Sequence, residues 1–403
     1  MAQINFTLDY EFLVGLFSES KEDAFAKLME ALLNQVILAE SAAQLGAENY
    51  ERSSERTDYR NGTRTRQLTT RIGRIELEIP RHRNVPFKSM LIENYQRNEQ
   101  ALIATMMEMV VQGVSTRKVQ KFTEELCGQK VSKSMVSDIC KGLDGPIRDF
   151  RNRSLGSYPF IMADAMYLRV RENHRVVSKA FLLAIGINPE GHKEILGFKV
   201  YSSEKEINWK EFFEELTLRG LTDVDLIVSD NHKGLVKAAQ ESFPGAAWQR
   251  CQVHMTRNIL DKTPKKYIEG LASELRAMFN AQTLREARSL KNEIIEEYEA
   301  VAEDAMRILD EGFEDTMTIM CLPSKYRVSL RTTNIIEREN KELRKRDKVI
   351  QIYPNILSAE RLLGAVLMDH HNDWIAGQRL FSMTEYYENL PKIRLSLKQI
   401  KVA

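Results

Sequence analysis

Three carboxylates stand where their surroundings could turn them to chemistry. Asp164 lies in a strand-like run in which Phe160, Met162, Asp164, Met166 and Leu168 share one side by period two. A carboxylate in an apolar row is costly unless it is paired, hydrogen-bonded or on a metal. A buried ion pair or an exposed strand face are the plain alternatives. Asp230 closes the run Asp225-Leu-Ile-Val-Ser-Asp230, which a polar turn and a helical pattern follow. Open α/β sheets bind ligands beyond the carboxyl ends of such strands, and Asp in the same place also caps helices. Glu337 lies in Arg331–Lys348, where seven Lys/Arg face four Asp/Glu. On a helix, Thr333, Glu337, Asn340, Lys341 and Arg344 fall near one another. Ordinary i,i+4 pairs, Glu337–Lys341 and Glu342–Arg346, would explain the same stretch as a solvated helix. Brought together, three carboxylates suit Mg²⁺, a hard ion that takes oxygen ligands and keeps water and substrate oxygens in its shell.

Cys251 and His254 are three residues apart and can face one way at a helix start. Structural zinc takes four ligands, and no second pair has suitable spacing. The reading is therefore a buried thiol and a hydrogen-bonded imidazole beside the site. The other cysteines, at 127, 140 and 321, are too scattered for a disulfide framework.

The elements that must position these groups follow from periodicity. Runs 159–170, 176–188 and 192–201 read as three strands, with Gly191 in the second turn. Glu206–Arg219 is helical with Trp209, Phe212, Phe213 and Leu216 on one side. The strand ending at Asp230, a helix through Leu235 and a short strand before Cys251 come next. Three strands followed by alternating helix and strand is the order expected of a ribonuclease H-like fold, spanning 157–262. Residues 265–315 carry thirteen Asp/Glu against seven Lys/Arg on helical apolar spacing. They read as an acidic all-helical insertion, 263–325, ahead of a core helix, 326–350, and a helical C-terminal region, 351–403.

The N-terminal part reads as three pieces. Residues 1–50 hold an amphipathic helix over 20–47, capped at Ser20, with Phe25, Leu28, Met29, Leu32, Leu33, Val36 and Ile37 as its stripe. Residues 51–95 contain a basic hairpin turning at Gly73, with nine Lys/Arg against three Asp/Glu over 56–88. Such a hairpin can lie on phosphates or be a solvated basic surface. Residues 96–150 read as helix-turn-helix. Val119, Phe122 and Leu126 face inward on the first helix, Cys127-Gly128-Gln129 breaks it, and Ser132 or Ser134 caps the second. Ser132, Lys133 and Ser134 would then meet base edges, with Lys130 and Lys141 left outside; any helical hairpin shares the apolar pattern.

The 403 residues allow two or three domains, and a formal charge of +1 conceals the segregation just described. No leader-like segment or membrane-length apolar run is seen, so a reduced cytoplasmic protein is expected.

Taken in order, these motifs resemble one family: the transposases of bacterial insertion sequences related to the eukaryotic Mutator elements. The resemblance covers nearly the whole chain. It rests on Arg60-Asn61-Gly62, Thr70-Arg71-Ile72-Gly73, Pro80-Arg81 and the run Gly113-Val-Ser-Thr-Arg117-Lys118-Val119. It continues through Asp164-Ala165-x-Tyr167, Trp209, Arg219-Gly220 and Ser229-Asp230-x-x-Lys233-Gly234. It closes on Gln249-Arg250-Cys251-x-x-His254 and Arg331-Thr332-Thr333-Asn334-x-x-Glu337. The family often has Trp before the Thr-Thr-Asn run, where this chain has Lys325-Tyr326-Arg327; Asn231-His232 replaces smaller residues after the second Asp.

The resemblance implies that Asp164, Asp230 and Glu337 are an acidic catalytic triad holding two Mg²⁺ ions, with Mn²⁺ able to substitute. It also implies that Cys251, His254 and Asn334 are auxiliary. Arg60, Arg71, Arg81, Arg117, Lys118, Lys133, Ser134, Lys341 and Arg344 are the expected DNA contacts. The expected partners are double-stranded DNA, as terminal inverted repeats and as target, and further copies of the chain in a dimer or larger assembly. A ribonuclease H-like nuclease without strand transfer and a non-catalytic DNA-binding regulator are the competing expectations.

Overall fold

The computed structural model describes residues 9–18, 21–48, 51, 56–70, 73–89, 100–127 and 131–400. These form an α/β protein in two compact units, divided between Gly142 and Leu143. The cap expected at Ser20, the break at Gly128-Gln129, Lys130 and the proposed contact Arg71 lie outside the described residues.

The first unit opens with helices α1 (Tyr10–Ser18) and α2 (Lys21–Leu45) and the antiparallel hairpin β1 (Arg60–Thr70) and β2 (Gly73–His82). Ile75, Leu77 and Ile79 alternate to the buried side of β2 and meet Ile37 of α2. Asn34 fixes the register from the helix side, since its side chain donates to Glu76 O and accepts from Glu78 N. Phe25, expected in the helix stripe, is 51% exposed. At about 100° per residue it lies roughly 80° round from Leu33 and 120° from Ile37, outside the arc the hairpin covers.

Helices α3 (Gln100–Val111), α4 (Thr116–Cys127) and α5 (Lys133–Cys140) follow and share a core of Leu102, Met106, Val119, Val131, Val136 and Cys140. Ser132 caps α5, its hydroxyl accepting from Met135 N at 3.1 Å. Phe122 is 44% exposed, contrary to expectation. The buried arc of α4 runs from Val119 to Thr123, about 40° apart, and Phe122 falls on its far side.

The second unit begins with α6 (Asp144–Asn152) and is built on the strands β3 (Phe160–Glu172), β4 (Arg175–Ile187), β5 (Lys193–Tyr201), β6 (Leu226–Ser229) and β7 (Ala247–Arg250). Their order is β5-β4-β3-β6-β7. The first three pair antiparallel, whereas β6 runs parallel to β3 and β7 parallel to β6. Helices α7 (Glu206–Leu218) and α8 (Lys233–Ser242) cover one face, packing Trp209, Phe212, Phe213, Leu235 and Ala239 on Ile161, Ala163, Leu182 and Ile227. Because helices cover both faces, β6 is apolar throughout its Leu226–Val228 run.

After β7 come α9 (Gln252–Asp261), α10 (Ile268–Phe279) and the long α11 (Leu284–Met317), which is kinked at Ala302. They bury Met255, Ile259, Leu271, Leu275, Ile294, Leu309 and Phe313 in a core of their own. Helices α12 (Ser324–Leu330), α13 (Asn334–Ile350), α14 (Ile356–Ala376), α15 (Thr384–Glu388) and α16 (Leu390–Ile400) complete the chain. Helix α13 packs on β3 and β4, and α14 on β5. Gly364 allows that approach, since a Cβ there would lie 2.6 Å from the Phe198 ring. The C-terminal segment reaches back to β6. Asp225 is buried at the strand's start and accepts from Arg394 Nε at 2.7 Å and from the Tyr386 hydroxyl. Among the described residues, no helix is long and apolar enough to cross a membrane.

Candidate active site

Asp164, Asp230, Cys251, His254 and Glu337 converge at one end of the parallel strands. Strand β3 presents Asp164 from the row Met162, Asp164, Met166, Leu168 that faces α13. Residue 162 of β3 pairs with Val228, so Asp230 leaves the neighbouring strand two residues on, beside Asp164. The Asp164 carboxyl group is set deep among protein atoms, and its pKa rises to about 6. Burial is the main cause, and the negative charge of Asp230 adds to it; the Ala165 N–H, His254 and the Asn340 amide oppose it. Neither Asp164 nor Asp230 forms an ion pair with Lys or Arg among the described residues. Asp230 Oδ1 accepts from His232 N at 3.2 Å, but His232 is the N-cap of α8, so Asp230 stands two residues ahead of the cap position and does not cap the helix.

Helix α13 brings the remaining groups. Asn340 Nδ2 donates to Asp164 Oδ2 at 2.8 Å, while Ala165 N donates to Oδ1 at 2.8 Å. Asn340 Oδ1 is buried and has no hydrogen-bond partner. Thr333, at the N-cap of α13, joins the other three groups. Its hydroxyl lies 2.9 Å from Glu337 Oε1, 3.2 Å from Cys251 Sγ and 3.5 Å from His254 Nδ1. His254 Nε2 is 3.8 Å from Glu337 Oε1. The hydrogen bond with Cys251 raises the His254 pKa against the effect of burial, and Glu337 and Asp230 add to the rise. Burial disfavours the Cys251 thiolate, but hydrogen bonds from His254 and Thr333 outweigh it and hold that thiol below its usual range.

The donor atoms of Cys251, His254 and Glu337 lie within 4.8 Å of one another. That gives three ligands where tetrahedral structural zinc takes four, and the Thr333 hydroxyl stands among them. The carboxylates fit a hard divalent ion better. Two acids that form no ion pair with Lys or Arg among the described residues lie side by side, and an orphaned amide oxygen is left at Asn340, beside the Asp164 carboxylate.

A family model described as "Transposase, Mutator family" matches residues 4–377. The chain belongs to the Mutator family of transposases. Among its relatives in that family, the transposase for insertion sequence element IS256 in transposon Tn4001 of Staphylococcus aureus is 43% identical over 386 residues, 94% of this chain and 99% of that protein. The transposase for ISRM5 of Rhizobium meliloti is 39% identical, covering 94% of this chain and 95% of the relative. That for IS1081 of Mycobacterium tuberculosis is 36% identical, covering 93% and 91%.

Not every expected residue of this Mutator-family chain joins the cluster. Asn334 is exposed at the start of α13 and lines a groove on the other side of Thr333. Its place beside the carboxylates is taken by Asn340, which sequence reading had put on the Glu337 face without a role. The spacing of three from Glu337 to Asn340 was the available signal. Arg250, part of the Gln249-Arg250-Cys251 motif but given no role by the sequence, packs its guanidinium against Gly312 and feels the charges of Asp315 and Asp230. Lys341 and Arg344 are exposed on α13. In the first unit, Arg81, Arg117, Lys118, Lys133 and Ser134 are all exposed. Arg60 is engaged internally, donating to Ala47 O and Glu48 O at 3.0 Å each.

Proposed function

We propose that this chain is an insertion-sequence transposase that binds the terminal inverted repeats, cleaves DNA at the element ends and transfers the freed 3′ ends to target DNA. The reading rests above all on Asp164 and Asp230, two neighbouring carboxylates that form no ion pair with Lys or Arg among the described residues. Asp164, Asp230 and Glu337 would hold Mg²⁺, two ions in all, with Mn²⁺ able to substitute, supplying charge neutralisation on the phosphoryl oxygens and a more acidic attacking water. Asn340 fixes the Asp164 carboxylate by its amide. Thr333 fixes Glu337 and ties it to Cys251 and His254. His254, 3.8 Å from Glu337 through Nε2, is placed to meet a phosphate or to orient that carboxylate.

In the first reaction water attacks the phosphorus at the element end, the P–O3′ bond breaks, and a 3′-OH is left. In the second that hydroxyl attacks a target phosphodiester; a new P–O3′ bond forms as the target's own P–O3′ bond breaks. Both are the same displacement, so one site serves both.

The sheet order, three antiparallel strands followed by two parallel ones, supports placing residues 157–262 in a ribonuclease H-like core. The all-helical 263–325 then separates the third carboxylate on 326–350 from the first two, and 351–403 closes the core. The trio α3–α5 with its capped last helix supports a helix-turn-helix over 96–150, with Arg117, Lys118, Lys133 and Ser134 on DNA. The basic hairpin of 51–95 adds phosphate contacts through Arg81 and Arg71, while Lys341 and Arg344 meet DNA beside the site. Joining two ends in one complex calls for at least a dimer.

The test is cleavage of labelled element termini with Mg²⁺, wild type beside Asp164→Asn. The expected result is cleavage and joined products for wild type, with end binding retained and cleavage lost in the variant. Hydrolysis without joined products would make the protein a nuclease; an unchanged Asp164→Asn would make it a regulator.

A further inference from the structure

We propose that the groove between α9, α10 and the α12–α13 turn holds one unstacked nucleotide of the DNA strand entering the carboxylate site. This rests on the reading of that site as a DNA-processing centre. The groove has a volume of about 720 Å³, within the roughly 300–1,000 Å³ that encloses a small ligand and too small for a duplex. Its floor is apolar, formed by Val253, Leu260, Ile268 and Phe279, with the 69% exposed Val328 at the rim. Three guanidinium groups line it, Arg257, Arg276 and Arg331, against one acid, Asp261. An apolar wall with an aromatic ring and a cationic margin is what a base and its phosphate need together.

The charges are placed against the local trend. Helix α10 belongs to the segment with thirteen acids and seven bases, yet the charged side chain it sets against the groove is Arg276. Neither Arg257 nor Arg276 forms an ion pair among the described residues. Arg331 is held in place, donating to Asn280 Oδ1 at 2.7 Å while its carbonyl accepts from Gln252 N at 3.1 Å. Paired cations would signal a structural wall; two unpaired ones beside an anchored third form a site complementary to phosphate.

The groove is also continuous with the carboxylates. Gln252 follows Cys251, and Thr332 and Asn334 flank Thr333, so the wall of the groove is the reverse side of the Cys251–His254–Thr333–Glu337 cluster. Helix α9 turns Cys251 and His254 to the cluster and Val253, Arg257 and Leu260 to the groove. A strand crossing the carboxylates therefore meets this groove next. The exposed amide of Asn334 lies where a base edge would be hydrogen-bonded.

The experiment uses full-length Asp164→Asn protein on labelled element ends. 5-Iodouracil is placed singly at positions on either side of the cleavage point, crosslinked by light, and the modified peptide is identified. The expected result is a crosslink from one flanking position to the Val253–Phe279 segment. Arg257→Ala with Arg276→Ala should lower affinity for an end with a single-stranded tip about tenfold and reduce the salt slope by about 0.7, the value for one single-strand phosphate. Affinity for a fully paired end and the melting temperature should stay unchanged. A bound end that crosslinks only elsewhere, or an equal loss of affinity for both ends, overturns the proposal. So does crosslinking to free iododeoxyuridine monophosphate with none to DNA. Cleavage by wild type on the same ends reports separately on the parent reading. A groove crosslink without cleavage would sink the transposase chemistry and leave the groove, and cleavage without the crosslink would do the reverse.

Discussion

Replacing Asp164 by Asn should make the metal-free protein more stable while destroying its activity. The carboxyl pKa of Asp164 rises from 3.8 to about 6 in the fold. Between those values the unfolded chain releases its proton and the folded chain keeps it, so stability falls as pH rises through the window. Above pH 6 the loss is complete, about 3 kcal/mol at 1.36 kcal/mol per unit. Asn carries no charge and escapes this cost. It offers one acceptor oxygen where Asp164 accepts from both Ala165 N and Asn340 Nδ2, so one hydrogen bond is lost, worth about 1 kcal/mol. The net expectation is a gain of roughly 1–2 kcal/mol at pH 8, and none at pH values below the ordinary carboxyl range. Urea unfolding in EDTA at both pH values measures it. Mg²⁺ should then reverse the order, stabilising wild type by about 2.7 kcal/mol at a hundredfold excess over its Kd and leaving the variant nearly unmoved. If metal-free Asp164→Asn is less stable than wild type at pH 8, Asp164 is a satisfied structural acid and the argument fails.

Thr333→Val keeps the shape of the N-cap but removes the hydroxyl shared by Glu337, Cys251 and His254; cleavage should fall about 10–100-fold with end binding intact in gel-shift titrations. Gly191→Ala places a Cβ 1.9 Å from Phe381 O at a φ of +91°, and a loss of roughly 3 kcal/mol or more is expected in urea midpoints. Lys118→Ala should weaken DNA binding across sequences and reduce the salt slope by about 0.9. His371 accepts from Ile195 N at 3.3 Å, and burial, with help from Arg153, holds its pKa down to about 4. The unfolded chain takes up that proton first, so stability should fall as pH drops from 6.5 toward 4. His371→Gln should flatten that part of the pH–stability curve.

The parts of the site that were legible in the sequence are those set by local rules. Period two placed Asp164 in an apolar row, and strand-then-turn placed Asp230 at a strand end. Helical spacing put Glu337 and Asn340 on one face. What could not be read was which residue on that face would touch Asp164. Asn340 meets it across 176 positions of chain, and only the packing of α13 on β3 decides that. Thr333 is similar: its sequence neighbours suggest a cap, and its bridging role exists only because Cys251 arrives from α9. Phe25 and Phe122 show the opposite error, since a helical stripe tells which side can be buried and not how wide a partner will cover it.

The tie between Asp225 and the C-terminal segment sets a schedule for synthesis. Asp225 begins the strand that ends at Asp230, and its hydrogen-bond partners, Tyr386 and Arg394, are more than 150 residues downstream. While the chain is still being made, that buried acid has nothing to balance it, and the strand carrying it lacks its brace. Glu337 is likewise added more than 100 residues after Asp230. Under the proposed function, the DNA contacts expected in the first unit are finished early, and the carboxylates proposed to cut DNA are assembled late. On that reading a nascent chain can engage its element before it is armed.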